Sequence, residues 1–516
     1  MPLPEEIHEK DLLALFRDQF IRWGFSPEDT DEVLVRLADV IDYERGWGEP
    51  GRSRAASEQV KRYSEVLLEF FEMTPEAAFS IGEALHLWEV LSAAKIVPPE
   101  GVDLFERTGR LPQRKSKSFL VLATEWDPHH GGLSTFNQRL CKSLAENGHN
   151  VICYVGSASQ VEIGSALHSG VNLIVAPAVP TVPAKFRVML ASDSLPADSP
   201  DFIIGHDRQT GAAALVLGSR FPNAKLILFA HTAPRLIEWH KNDRKDTETL
   251  GRSANERLQE QAQLFAQADF VVAVGTALLQ EANHALLPNT RRKNSKKVQS
   301  VPFFPGFAIN DDYDLGTAPR NLLFVGRAED TYLKGLDIIN EAVQRNRRDH
   351  QIQLDCTLLG ADVGTEYDLK KSFPSFTNII AYDPSREKLH EELARADLLL
   401  MPSRQEGFGL VAIEAIECNR PFLVSDQSGF AQYIRTIAAN CSGSAKALIE
   451  NLIVNVEVDR PGEELAEKIR WIFANWGAVV SLVDELRSEL QKPVYSWKAA
   501  TAALVERLKN LDPSTK

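Results

Sequence analysis

Two carboxylates flank a glycine turn in the stretch RQEGFGLVAIE, residues 404–414. Glu406 precedes the turn Gly407–Phe408–Gly409, and Glu414 follows it inside an apolar run that begins at Leu410. The segment DLLLMPS before the turn reads as a strand ending at Ser403. The run from about Leu410 to Cys418 reads as a helix, and Asn419 is able to take the left-handed position that ends it. The turn therefore falls at a helix N-terminus, where unpaired N–H groups attract anions and missing side chains let a ligand approach the backbone. Two glutamates there would repel a bare phosphate. They suit a ligand with hydroxyls beside its phosphates, because carboxylates accept hydrogen bonds from sugar hydroxyls while the N–H groups hold the phosphate. On this reading Glu414 reaches a ribose and Glu406 a second sugar. A helix-capping carboxylate plus a solvated glutamate fits the same residues equally well.

Phosphates beside carboxylates require cations. NLLFVGRAEDTYLKGLD reads as a strand, a Gly-Arg pair, then Lys334–Gly335 at the start of a helix. Arg327 can grip a diphosphate with two parallel hydrogen bonds, and Lys334 adds a point charge. In EWDPHHGGLSTFNQRL a strand, the double glycine Gly131–Gly132 and a helix form a second backbone cradle, a pattern of low specificity by itself. His129 and His130 are adjacent, but no third ligand is spaced nearby, so no metal site is expected. DFIIGHDRQTG puts His206 and Asp207 at a strand's carboxyl end, and LFAHTAP puts His231 in the equivalent place after the next strand. A His-Asp loop in that position favours function over structure.

The elements that would position these residues change character along the chain. Over residues 1–97, apolar residues recur at helical spacing: Leu12, Leu15, Phe16, Phe20 and Trp23; then Val33, Leu34, Leu37, Val40 and Ile41 behind a Ser26-Pro27 start; then Val60, Tyr63, Leu67 and Phe70; then Phe79, Ile81, Leu85, Trp88 and Leu91 behind Thr74-Pro75. This predicts a small helical bundle with no catalytic constellation, an interaction or regulatory module. Residues 98–117 read as a linker. From residue 118 short apolar runs alternate with helices: FLVLATEW, NVICYVG, NLIVAP, DFIIGH, KLILFAH and DFVVAV, then NLLFVG, IQLDCTLLG, NIIAYD, DLLLMPS and PFLVSD. Two such series in succession predict two doubly wound α/β domains, 118–305 and 306–470, with the ligand in the crevice at the carboxyl ends of their strands. Residues 471–516 are read as closing helices. The basic loop 289–297 reads as a solvated connection.

Bulk properties agree with this organisation. A chain of 516 residues has room for roughly three domains, and 44% hydrophobic with 25% charged residues is ordinary for a globular protein. A formal net charge of −14 argues against nucleic acid as the main partner. The five cysteines are scattered without ligand spacing and read as small buried hydrophobes in a reducing compartment. The N-terminus has no apolar h-region and no stretch approaches a membrane span, so a cytoplasmic location is expected, with peripheral membrane association left open.

Taken in order, GGLSTFNQRLCKSLAENGHNV, GHDRQTG, GRAEDTYLKGLD, ARADLLLMPSRQEGFGLVAIEAIECNRP and YSWKAATAALVERL resemble the retaining glycosyltransferases of the GT-B fold, especially the large family 4, over about residues 118–505. The resemblance implies two Rossmann-like domains facing a cleft, and a nucleoside diphosphate sugar, UDP or GDP, as donor with no other cofactor. It implies that Glu406 and Glu414 are the family's E-x7-E pair on donor sugar and ribose. Arg327 and Lys334 would neutralise the leaving diphosphate in place of a metal ion, and Gly131, Gly132 and the turn Gly407–Phe408–Gly409–Leu410 would approach the donor. His206 would match the family's active-site histidine, with a largely positioning role. The sequence departs from the family pattern in a longer insertion between Arg327 and Lys334, in Asn419 before Pro421, and in Gln432 where Glu is common. The acceptor, a glycan, lipid, protein or small molecule, is not encoded. Two alternatives stay open: a sugar-nucleotide sensor signalling through the helical module, and a GT-B phosphorylase or nucleotide-sugar hydrolase.

Overall fold

The computed structural model describes residues 13, 16–17, 20–21, 27–38, 53–72, 78–79, 81–82, 85, 113–114, 116–127, 131–190, 195, 198–241, 247–290, 298–309, 319–383 and 386–511. The chain forms two compact units, Met1–Ser116 and Lys117–Lys516.

In the first unit, helices Pro27–Ala38 and Ser53–Phe70 supply Val33, Leu34, Leu37, Tyr63 and Leu67 to a core that also takes Phe16, Phe20, Ala78, Ile81 and Leu85. Ala78, not Phe79, holds the buried place; Phe79 is exposed. Within the stretch read as a linker, Gln113–Arg114 pairs antiparallel with Phe71–Glu72. Leu12, Leu15, Trp23, Val40, Ile41, Trp88 and Leu91 lie outside the described residues.

The second unit holds two parallel sheets. The first comprises β1 (Ser118–Glu125), β2 (Asn150–Ser157), β3 (Val171–Val175), β4 (Phe202–His206), β5 (Lys225–Ala230), β6 (Phe270–Val274) and β7 (Gln299–Phe303), in the spatial order β3-β2-β1-β4-β5-β6-β7. The second comprises β8 (Asn321–Val325), β9 (Asp355–Ala361), β10 (Asn378–Ala381), β11 (Leu398–Met401), β12 (Phe422–Ser425) and β13 (Ile453–Val454), ordered β10-β9-β8-β11-β12-β13. Helices cover both faces, so strands such as Phe202–His206 and Leu398–Met401 are buried at every position and read as continuous apolar runs. Strands β7 and β13 complete the sheets beyond the runs read from sequence; β7 mixes Gln, Ser and Pro, and β13 is two residues long.

Each sheet reverses its strand order once, between β1 and β4 and between β8 and β11. That reversal separates the loops at the strands' carboxyl ends and opens a crevice for a ligand. Gly131 and His206 flank it in one half; Arg327, Lys334 and the Glu406–Gly409 turn flank it in the other.

The chain crosses between halves at Phe307 and returns at Ser496, where the two segments pair. Gly306 makes this crossing close, since a Cβ there would lie 2.1 Å from the Trp497 nitrogen. Helix Trp497–Leu511 then packs on Gly132–Glu146 of the first half, and the Asn147 amide donates to Thr501 Oγ1 at 2.7 Å and to the Lys498 carbonyl at 2.9 Å. Four of the five cysteines are buried, and burial pushes the Cys356 thiol up to about 12, which suits inert packing. No helix among the described residues is long and apolar enough to cross a membrane.

Candidate active site

The Gly407–Gly409 turn is built as a close contact between the halves. A Cβ on Gly407 would lie 2.2 Å from the His231 carbonyl oxygen, which follows β5 in the opposite half. Gly409 has φ 97 and begins helix Leu410–Glu417, a left-handed position that glycine adopts without strain. A Cβ there would meet Met401 Cε at 2.7 Å. The helix N-terminus thus presents free N–H groups toward the cleft. Asn419, past the other end, has φ 54 and takes the left-handed position read for it.

Lys334 and Glu406 meet. Nζ lies 2.7 Å from Oε2, with both side chains 19% exposed, and the Ser403 hydroxyl donates to the same oxygen at 3.1 Å. Arg327 is not drawn into this pair. Its guanidinium is 63% exposed and lies 3.2 Å from Asp330 and 3.6 Å from Glu329. The insertion between Arg327 and Lys334 supplies both of those acids.

Gly131, with φ 111, caps helix Gly132–Glu146, and a Cβ on Gly132 would touch Leu410 at 3.5 Å. Ser134 donates to Glu125 at the end of β1 at 2.8 Å, which ties the glycine loop to its strand. The Gly131 N–H is met by the phenol of Tyr382 from the second half, and burial pushes that phenol's pKa up. His129 and His130 lie outside the described residues. Glu414 is 5% exposed and shares its surroundings with Tyr382 and Arg139.

His206 is 1% exposed and spends both ring nitrogens inside the first half. Nε2 lies 2.8 Å from Asn137 Oδ1, and Nδ1 lies 3.0 Å from His231 Nε2. Its ring therefore does not open on the cleft as the sequence suggested. His231, partly exposed and next to the Gly407 turn, is the member of the pair at the cleft. Phe136 packs edge-on against both imidazoles and against Trp497. Burial lowers His206 to about 3, and burial plus proximity to His206 lowers His231 well below its usual value; both rings are neutral. Asp207 does structural work. Its carboxylate accepts from Thr232, Gln261 and the Arg208 N–H, and burial raises its pKa.

Sequence reading missed the seam residues. Arg139 grips Glu417 with two parallel bonds of 2.9 and 2.8 Å across the halves, and the Ala308 N–H adds a third to Glu417 at 2.8 Å. Burial opposes the charge on Arg139, but Glu417 outweighs it and holds the pKa above its usual value. Arg404 lies 3.6 Å over the Tyr332 ring and pairs with Asp337 at 2.7 and 2.8 Å. Arg404 and Tyr332, with His240 of the first half and Glu457 and Asp459, line a cavity of about 280 Å³. The partners of Arg139 and Arg404 lie 278 and 67 positions away in the chain, so no local pattern marked them in the sequence. Gln432 is exposed on helix Gly429–Ala438.

Residues 120–504 match the family described as "Family 4 Glycosyltransferase in conflict systems". The chain belongs to this family. A D-inositol 3-phosphate glycosyltransferase of Arthrobacter sp. (strain FB24) is 33% identical over 146 residues, 27% of this chain and 34% of that protein. A glycogen synthase of Mycobacterium tuberculosis (strain ATCC 25618 / H37Rv) is 35% identical over 124 residues, 23% of this chain and 28% of that protein. The match thus spans about a third of these relatives' length. Among solved structures, the sucrose-phosphate synthase of Thermosynechococcus elongatus superposes with a TM-score of 0.56 at 19% identity, covering 77% of this chain and 99% of that one. The fold is GT-B.

Proposed function

We propose that the protein is a retaining, metal-independent glycosyltransferase that moves a sugar from a UDP- or GDP-sugar to a hydroxyl of an acceptor. The observation that carries this reading is the Lys334–Glu406 pair standing beside a glycine turn at a helix N-terminus, with His231 abutting that turn from the other half. The donor diphosphate would lie against the N–H groups of Gly132 and the Gly407–Leu410 turn, and against that of Gly131 once it displaces the Tyr382 phenol, with the ribose at Glu414 and the sugar at Glu406. In the reaction the anomeric C–O bond to the β-phosphate breaks and its electron pair goes to the diphosphate. The acceptor hydroxyl attacks the same face, and its proton passes to the departing phosphate oxygen. Preorganised positive charge and N–H dipoles lower this barrier most; Lys334 supplies the charge. The polyol and glucan substrates implied by the names of its relatives make a hydroxyl acceptor the natural class. The helical unit 1–97 would serve as an interaction module, and the enzyme would act in the cytoplasm.

The test is hydrolysis or transfer from UDP-glucose and GDP-mannose, with and without EDTA, the product anomer being read by NMR. An α-configured product from an α-donor, formed in EDTA, is expected. An inverted product, or a rate abolished by EDTA and restored by a divalent metal, contradicts the reading. Sugar-nucleotide binding without turnover would favour the sensor.

A further inference from the structure

Asn137 lies fully buried on helix Gly132–Glu146, where the neighbouring side chains are Phe136 and the thiols of Cys141 and Cys153. A buried amide costs free energy unless its donors and acceptor are filled. Here Nδ2 donates to Cys153 Sγ at 3.5 Å, and Oδ1 receives Cys141 Sγ at 3.8 Å and His206 Nε2 at 2.8 Å. A carbonyl oxygen only accepts, so His206 Nε2 carries the hydrogen. The ring is neutral, which leaves Nδ1 as a bare lone pair. That lone pair faces His231 Nε2 at 3.0 Å, so His231 also carries its hydrogen on Nε2. His231 is neutral too, and its Nδ1 is left without one.

We propose that Asn137 is a positioning residue that sets the tautomer of both imidazoles, so that His231 meets the cleft as a hydrogen-bond acceptor for a hydroxyl of the donor sugar. This rests on the reading of the cleft as a sugar-nucleotide site. The partners of the second ring nitrogen decide what a histidine can do with the first. Groups packed on the pair are uncharged: Asn137, Cys141 and Cys153 on one side, and Phe136 and Phe229 around the rings. The Asp207 carboxylate is turned to Thr232 and Gln261, and burial is the cause of the lowered His206 value.

The experiment uses the full chain labelled with ¹⁵N-histidine, read by two-bond proton–nitrogen correlation. Both rings should show the Nε2–H pattern without titrating between roughly pH 8 and 5. Asn137→Asp keeps the shape but supplies a negative acceptor. His206 should then take up a proton in that window, donate Nδ1–H to His231, and switch His231 to the Nδ1–H pattern. Hydrolysis of UDP-glucose or GDP-mannose should gain an acid limb, kcat falling about tenfold or more with KM changing by less than about threefold. Asn137→Val, which a merely structural apolar site would accept, should keep the melting temperature yet show His231 as Nδ1–H at every pH and lose about tenfold in kcat. An Nδ1–H pattern for His231 in the parent overturns the proposal, as do variant spectra that superimpose on the parent's. Failure to hydrolyse any sugar nucleotide would strike the proposed activity, while the parent's tautomer spectrum would still decide this inference.

Discussion

Lys334 does not face the cleft as a bare cation, and this sets the size of the effect expected on removing it. Its ammonium lies 2.7 Å from Glu406, so a leaving phosphate meets a dipole with its positive end forward. With an effective dielectric of about 20, a phosphate oxygen roughly 3 Å from the ammonium and roughly 5.5 Å from the carboxylate gains about 5.5 kcal/mol and loses about 3, a net of about 2.5 kcal/mol. That corresponds to roughly a seventyfold rate effect, at the lower edge of what loss of one preorganised donor costs. Lys334→Ala leaves the Glu406 carboxylate facing the phosphate, so kcat for UDP-glucose or GDP-mannose hydrolysis should fall by at least that factor, about a hundredfold or more. Charge builds on the diphosphate mainly in the transition state, so the affinity for the intact sugar nucleotide by calorimetry should fall by less than about tenfold. The parent should keep its rate in EDTA. A Lys334→Ala rate within about threefold of the parent would refute the placement of the leaving group.

Further outcomes follow from the seam and from the buried histidines. Gly407→Ala places a Cβ 2.2 Å from the His231 carbonyl; the halves must part, and UDP affinity by calorimetry should fall by more than about tenfold. Glu417→Gln leaves the Arg139 charge without its carboxylate; removing one partner of a buried pair costs about 3–5 kcal/mol, and with Arg139 18% exposed the lower figure is expected by urea denaturation. Folded-state values below the unfolded one mean that stability is present above about pH 6.5 and is lost as pH falls toward 3, at roughly 1.4 kcal/mol per pH unit for His206 and in the same direction for His231. Asp207, raised by burial, acts in the opposite sense, so the histidine contribution is read by difference: His206→Gln should flatten the slope measured by urea denaturation from about pH 6.5 to 5. A shortened chain beginning at Lys117, where the units divide, should fold and bind UDP as the full chain does.

The sheets were legible because parallel strands covered on both faces must be apolar at every position, and FIIGH or LLLM can be little else in a chain of alternating elements. The turn at Gly407 was legible for a related reason. Two glycines beside an apolar helix mark backbone that must be approached closely, and the approaching group is the His231 carbonyl. Strands β7 and β13 were not legible, because a mixed Gln-Ser-Val-Pro-Phe run and a two-residue strand carry no periodicity. The histidines illustrate a different limit. His206 and His231 both end a central strand, and spacing alone gives them equal claims. The residue that separates them is Asn137, on another element sixty-nine positions from His206, whose buried amide engages one ring and leaves the other at the cleft. Arg139 and Glu417, 278 positions apart, were beyond reach for the same reason. Charge partners across a fold leave no local pattern.

One helix joins these observations into a single mechanical argument. Leu410–Glu417 spans eight residues, about 12 Å of axis. Its N-terminus forms the proposed anion-binding turn against His231, and Glu414, midway, is the proposed ribose ligand. Its last residue, Glu417, is held by Arg139 and the Ala308 N–H, while Arg487 donates to the Ile416 and Glu417 carbonyls at 2.7 Å each. Arg139 itself rides on the helix that starts at Gly132, the other proposed phosphate cradle. The clamp thus ties the far end of one helix to the middle of the other, and the near ends of both converge on the proposed diphosphate. A change in the angle between the halves that widened the gap between Gly132 and Leu410 would strain the Arg139–Glu417 pair. The ion pair that sequence reading could not find is therefore one of the contacts that hold the two proposed phosphate-binding turns together.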